Sequence, residues 1–297
     1  MCMAGLMVCG CEAMMDVPPG GETEPAAYEG YALVWNDEFN VHGAPDEAHW
    51  VYEEGFIRNR EAQLYTRDNI RIADGVLTIE ARRERVPNPA FDASAPADDW
   101  KRSRSHAEYT SACIKTRGKH AWLYGRFEMR GRIDIRDGMW PAFWTLGTAR
   151  EWPACGEIDI MEYFKGVLLA NVAWGSAKRH AAAWDDVKVP IAEVAKTAGF
   201  VNQAGEGDPQ AWAAAFHVWR MDWDKDMIRL YVDGHLMNEI ELSKTVNKTP
   251  DGANPLREPH HILINFAIGG TAGGDPSKTE FPAKYEVDWV RVYQKAE

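Results

Sequence analysis

Basic residues are scarce at the start of this chain, with no lysine or arginine before Arg58. The formal net charge is −12. That argues against nucleic acid as a partner, because phosphates need a basic surface. It also suits an anionic polysaccharide poorly. No segment approaches the ~18–20 consecutive apolar residues of a membrane span. No internal repeat is visible. His217, His260 and His261 lack metal-ligand spacing and read as strand or loop residues. Cysteine is sparse in the body of the chain, where only Cys113 and Cys155 occur. They suit either a disulfide in an oxidising compartment or buried thiols, and the sequence does not separate these.

What is present points to one large β domain. The chain has 297 residues and is 45% hydrophobic, enough for a single sizeable core. Short alternating runs dominate: Asn69-Ile-Arg-Ile-Ala, Val76 to Ala81, Gly125 to Asp134, Ile228 to Val232 and Val287 to Tyr293. Asp74-Gly75 and Asp233-Gly234 read as hairpin turns between such runs. The expected fold class is all-β, a jelly-roll β-sandwich of two antiparallel sheets. Three segments break the pattern. Val86 to Ser105 reads as a surface loop, and Gly269 to Pro282 as a Gly-rich one. Ser176 to Ala215 holds two helix candidates, one from Pro190 to Gly199 and one capped by Asp208 with Pro209 in its first turn.

The first 27 residues form a separate unit, a leader and tether ahead of a domain over 28–297. Val8-Cys-Gly-Cys11 follows an apolar start and resembles a bacterial lipoprotein signal, with Cys11 as the acylated residue; Cys9 fits less well. The missing basic residues and the short apolar run depart from that pattern. Residues from about Asp16 to Ala27 are rich in Pro, Gly and Glu and read as a tether. The expected location is secreted or cell-envelope, with membrane contact only through such an anchor. A monomer is expected.

The most informative stretch is Trp152-Pro-Ala-Cys-Gly-Glu-Ile-Asp-Ile-Met-Glu-Tyr163. Glu157 and Asp159 alternate with Ile158 and Ile160, so one strand face is acidic and the other apolar. Glu162 lies at an odd offset from Glu157 and would face the other way on a regular strand. A β-bulge at Ile160-Met161 brings it back to the acidic face. The two Glu backbones are then about four strand steps apart, on the order of 13 Å. Their side chains must lean together to reach the ~5–5.5 Å of a retaining glycosidase pair. Standing alone, such a triad also suits a solvated edge strand or a calcium site.

The flanking sequence decides between these readings. The chain resembles glycoside hydrolase family 16, in its bacterial laminarinase-like branch with the E-x-D-x-x-E motif. The resemblance runs from Tyr31 to Gln294. It rests on Val34-Trp-Asn-Asp-Glu-Phe39, Asn59-Arg-Glu-Ala-Gln-Leu-Tyr-Thr66, Tyr124-Gly-Arg-Phe-Glu-Met-Arg130 and Gly138-Met-Trp-Pro-Ala-Phe-Trp144. Beyond the acidic motif it continues through Phe216-His-Val-Trp219, Tyr231-Val-Asp-Gly234, Asn265-Phe-Ala-Ile-Gly-Gly270 and Val287-Asp-Trp-Val-Arg-Val-Tyr-Gln294.

The resemblance implies a concave substrate cleft and a retaining double displacement without a catalytic cofactor. Glu157 is the expected nucleophile, Glu162 the acid and then the base, and Asp159 the residue that orients them. Like charges predict that Glu157 and Asp159 ionise first, leaving Glu162 protonated. Of the 13 tryptophans, Trp140 and Trp144 are expected to stack on sugar rings, as is Trp174 after the catalytic strand. Many laminarinases carry a His-containing stretch there; this chain does not. Asn59 is expected to bind sugar hydroxyls, or else to serve as a turn residue. Asp288 matches a structural calcium position in many members, although an exposed strand Asp fits equally. The expected substrate is a β-1,3- or mixed β-1,3/1,4-glucan, cleaved internally. The alternatives are an endo-β-galactosidase on galactan or mucin-type poly-N-acetyllactosamine, a transglycosylase, or a non-catalytic glycan-binding protein. Loss of one of the two Glu residues would mark the last, and both are present.

Overall fold

Period-two alternation gives each strand one apolar face, and two such sheets bury those faces against each other. The computed structural model describes residues 18–20, 24–178, 180–249 and 252–296. Cys9 and Cys11 lie outside these residues.

The larger sheet has eight strands. They are β1 (Tyr31–Asp37), β4 (Ile70–Ala73), β5 (Val76–Ala81), β10 (Gly125–Arg132), β15 (His217–Trp223), β16 (Met227–Val232), β17 (His235–Glu241) and β19 (Ala283–Lys295). Their order is β17-β16-β15-β10-β19-β5-β4, with β1 also on β19. The second sheet has seven strands. They are β2 (Val51–Glu53), β9 (Cys113–Lys115), β11 (Met139–Gly147), β12 (Glu157–Phe164), β13 (Val167–Gly175), β14 (Ala182–Pro190) and β18 (His260–Ile268). Their order is β14-β13-β12-β11-β18-β9-β2, and every pairing is antiparallel. Two small pairs complete the strands: β3 (Gln63–Tyr65) with β8 (Tyr109–Ser111), and β6 (Val86–Pro87) with β7 (His106–Ala107). This is the expected jelly-roll sandwich.

The core lies between the sheets. Phe127, Met129, Met221, Leu230, Val290 and Val292 of the larger sheet meet Phe143, Ile158, Ile160, Val172, Ile264 and Phe266 of the smaller one. The seven-stranded sheet therefore turns its other face outward, and the cleft lies there. Asp74-Gly75 and Asp233-Gly234 take positive φ at both positions (52° and 72°; 48° and 79°). That is the geometry of two-residue hairpins. Both helix candidates form, as α1 (Ile191–Thr197) and α2 (Pro209–Ala214). Asp208 caps α2 by accepting from the Ala211 N–H at 3.0 Å. A short α3 (Gly270–Gly273) lies in the Gly-rich loop.

Three features differ from expectation or settle an alternative. The segment between Ser176 and the first helix is not simply a loop, since Ala182–Pro190 forms the nine-residue edge strand β14. Cys113 and Cys155 are both buried free thiols. Burial, then the charge of Glu157, pushes the Cys155 thiol up to about 11. Asp288 is not an exposed strand Asp, being only 3% exposed. Its Oδ2 accepts from Arg130 Nη1 at 2.6 Å and its Oδ1 from the Gly20 N–H at 2.7 Å. Calcium needs six to eight oxygen ligands. Here both carboxylate oxygens face donors, one of them a guanidinium where a second cation would sit. Among the described residues no group of three or more His, Cys, Asp or Glu gathers to hold a metal. In this arrangement Arg130 supplies the positive charge beside Asp288. The Gly20 contact also ties the described part of the Pro/Gly-rich stretch to the outer face of the larger sheet.

Replacing one member of a buried ion pair typically costs about 3–5 kcal/mol. Asp288→Ala is therefore expected to lower the urea midpoint strongly, while EDTA leaves the wild-type Tm unchanged. A chelator-induced fall in Tm would show that a cation holds this face.

Candidate active site

The acidic face of β12 is built by a register shift. Asp159 pairs with Asn171 of β13 and Glu162 pairs with Leu169. Two residues, Ile160 and Met161, thus stand opposite Ala170, and β11 records the same shift between Phe143 and Trp144. Both Ile160 and Met161 are buried in the core. Glu157, Asp159 and Glu162 all line one cleft of about 610 Å³ on the outer face. The bulge falls where the sequence places it. Glu157 and Glu162 face Ala173 and Leu169, so their backbones are four steps apart along β13, as expected. Gly156, just before the strand, has φ +78°, a conformation that favours glycine.

Indole N–H groups from two directions hold the outer pair. Trp152 Nε1 donates to Glu157 Oε2 at 2.8 Å. Trp140 Nε1 donates to Glu162 Oε1 at 2.7 Å. Burial, then the charge of Glu162, pushes Glu157 up to about 7, against the pull of the Trp152 hydrogen bond. Burial likewise pushes Glu162 up to about 7, opposed by Trp140 and by the Lys188 charge. Asp159 is also raised, first by burial and then by the charges of Glu157 and Glu162. Burial is the first cause for all three acids, so the upward shift is not confined to Glu162. Asp159, 4% exposed, is the deepest of the three and stands on the same face as Glu157 and Glu162. Desolvation decides these shifts more than the number of charged neighbours does.

The other expected site residues divide. Trp140 and Trp144 line the cleft, and Trp144 Nε1 donates to Asn265 Oδ1 at 2.7 Å. Both are also largely buried, at 7% and 8% exposure. Their indoles thus anchor the floor as well as offering ring edges to a ligand. Asn59 lines the cleft and is also a turn residue at φ +53°. Trp174 is a correction. It shares parity with Val172 and packs against the inter-sheet core, while Leu169 and Asn171 face the cleft. On a strand, alternate residues face opposite sides, and Trp174 is on the dry one.

Several lining residues were not singled out from the sequence. Trp152, 45% exposed, stands in the quoted motif itself. Arg58 lines the cleft 5.3 Å from the Trp144 ring, and pairs behind it with Glu53. Burial raises the Glu53 carboxyl, but Arg58 and Lys115 outweigh this and bring it down to about 2. Lys115 Nζ lies 2.7 Å from Glu53 Oε1. Phe164, Trp184, Asp186 and Lys188 complete the wall beside β12. The β14 residues lie in the stretch where the strand pattern breaks off and two helix candidates are expected. Its outward alternation (Trp184, Asp186, Lys188) was the available signal.

Known proteins share this architecture. A profile of the XgeA-like catalytic GH16 domain matches residues 133–188, and one of glycosyl hydrolases family 16 matches residues 194–291. The Beta-glucanase of Rhodothermus marinus is 34% identical over 288 residues, covering 90% of this chain and 86% of that protein. A structure from work on endo-acting O-glycanases of the human gut microbiota that initiate mucin breakdown superposes with a TM-score of 0.79. It is 31% identical and covers 93% of this chain and 95% of its own. The laminarinase catalytic domain from Thermotoga maritima MSB8 gives a TM-score of 0.71 at 28% identity, over 91% of this chain and 100% of that one.

The raised acids carry a consequence for stability. An unfolded Asp titrates near ~3.9. Folded Asp159 keeps its proton to higher pH, so the folded state binds protons that the unfolded state has released. Stability is then greatest below pH ~4 and falls as pH rises through the folded-state pKa. Asp159→Asn removes that loss. Its Tm relative to wild type should rise by on the order of a few degrees between pH 4 and pH 8. A constant Tm difference across that range, read by calorimetry, would refute the assignment of the proton to Asp159.

Proposed function

We propose, on the premise that the chain belongs to glycoside hydrolase family 16, that it is an endo-acting retaining hydrolase of a β-linked glucan. The single observation that carries this is the row of Glu157, Asp159 and Glu162, brought by one bulge onto the face of one cleft. The similarity to a β-glucanase and a laminarinase supports β-1,3- or mixed β-1,3/1,4-glucan as the substrate.

Glu157 in its ionised form attacks the anomeric carbon, while protonated Glu162 delivers its proton to the leaving glycosidic oxygen. The C–O bond breaks and a glycosyl ester forms on Glu157. Glu162, now a carboxylate, takes a proton from the water that cleaves the ester, which restores both residues. The indole of Trp152 orients the attacking carboxylate and favours its charge. Asp159, whose carboxyl is pushed up by burial, stands beside it on the same face and orients the pair. Burial keeps Glu162 protonated near neutrality, as a general acid requires. A sugar in place of water at the second step would give transglycosylation.

A second reading has its own support. The likeness to the mucin O-glycanase structure extends over nearly the whole chain, and the His-containing stretch of many laminarinases is absent near Trp174. Galactose-containing mucin-type chains are therefore the alternative substrate. Action on either polymer supports a place outside the cytoplasm; among the described residues no helix is long and apolar enough to cross a membrane.

The deciding experiment is a digest of laminarin, barley β-glucan, agarose, porphyran and mucin glycans, with products read by mass. Cleavage of the glucans supports the first reading, and cleavage confined to galactose-containing chains replaces it with the second. Binding without cleavage anywhere would mark a glycan-binding protein. Glu157→Gln is expected to abolish turnover while leaving binding intact; substantial residual activity sinks its role. The pH profile should be a bell. Activity falls on the acid side as Glu157 gains a proton, and on the alkaline side as Glu162 loses one. Because both lie at about 7, the limbs belong to the coupled pair and the optimum lies near neutrality. Trp140→Phe removes a hydrogen bond that favours ionised Glu162, so it should move the alkaline limb to higher pH.

A further inference from the structure

Strand β14 stands in register with the catalytic strand. Glu157 pairs with Ala173, and Ala173 pairs with Trp184. Asp159 pairs with Asn171, and Asn171 with Asp186. Glu162 pairs with Leu169, and Leu169 with Lys188. Each acid of the triad thus begins a row that ends, two strands away, on an outward-facing residue of the sheet edge. Trp184 is 45% exposed and lines the cleft, so its indole is open to a ligand lying there. The residue between it and Glu157 is alanine, which leaves the row open above the backbone.

We propose that Trp184 is a sugar-stacking platform, with the Asp186–Lys188 pair as its polar partner, and that β14 sets how many sugar units the enzyme grips. This rests on reading the cleft as a glycan hydrolase site. Two interstrand spacings are about 10 Å, the reach of about two sugar units from the cleaved bond in an extended chain. An indole face suits a pyranose ring, whose C–H groups are apolar and whose hydroxyls project sideways. Lys188 Nζ lies 2.8 Å from Asp186 Oδ2, so a donor and an acceptor sit together where those hydroxyls would fall. The platform is held firmly. The Val187 N–H donates to Asn171 Oδ1 at 3.1 Å. On the inner side Asn238 Nδ2 donates to Asp185 Oδ1 at 3.2 Å and to the Ala170 carbonyl at 2.9 Å. Asn171 is also the register partner of Asp159, so one residue joins the catalytic row to the β14 backbone.

The test uses linear laminari-oligosaccharides of graded length with wild type, Trp184→Ala and Trp184→Phe, each checked for an unchanged Tm. Wild-type kcat/KM should step up when the chain gains the unit that reaches Trp184. Trp184→Ala should lose that step, roughly tenfold, and run parallel to wild type on shorter chains. Trp184→Phe should keep most of it. Equal loss at every length, or no loss at any, overturns the platform. Wild-type turnover in the same series reads the underlying hydrolase function separately, since its failure would appear before any variant is compared. End-labelled oligosaccharides report on which side of the cleaved bond the step arises.

Discussion

The two-for-one pairing of Ile160 and Met161 against Ala170 constrains everything that happens in the cleft. Without it, Glu162 would point into a core already filled by Ile158 and Ile160. A bulge in the middle of a sheet disrupts the ladder and leaves a residue unpaired. Here the cost is offset because both bulged side chains are themselves apolar and buried. The strand thus keeps its dry face intact while its wet face gains a third acid. The charged row and the hydrophobic core are two sides of the same irregularity.

Gathering three carboxylates in a largely desolvated cleft is electrostatically unfavourable, and the surroundings answer in two ways. Indole N–H groups from Trp140 and Trp152 stabilise charge on the outer pair. The inner acid is the most deeply buried, and burial raises its carboxyl along with the other two. The three acids of one strand therefore differ in depth while sharing one cleft. Behind the floor, Arg58, Glu53 and Lys115 form a second polar layer, and Arg58 extends it to the Trp144 ring.

Much of this was legible in the sequence because it depends on parity. The acidic face, the bulge, the Asp-Gly hairpins and the Asp208 cap are all local, and local rules give them. What parity does not give is depth or which face is wet. Asp159 shares a face with its neighbours, but the sequence carries no measure of how far it is buried, and burial controls its proton. Trp174 sits on the strand after the triad, yet its side follows only from the register with β12. Asp288 looks like a surface acid until Gly20, distant in sequence, is seen to cover it. Strand β14 escaped for another reason. Its inward residues include Asp185, a charged side chain that breaks the apolar alternation and finds Asn238 only in the folded sandwich.

The position of β14 at the sheet edge also bears on how such an enzyme diverges. A central strand has neighbours on both sides, so a change there must satisfy two ladders and the core at once. Strand β14 has one paired neighbour, β13, and its outward side chains touch the cleft rather than the interior. A substitution at Trp184 would touch the cleft without disturbing the core, whereas Lys188 also acts on Glu162 through its charge. The three acids lie on an inner strand of the sheet, and the β14 side chains that line the cleft lie on its margin. Related chains can then drift from one glycan to another by changing residues at the edge, while the acids two strands away stay in place.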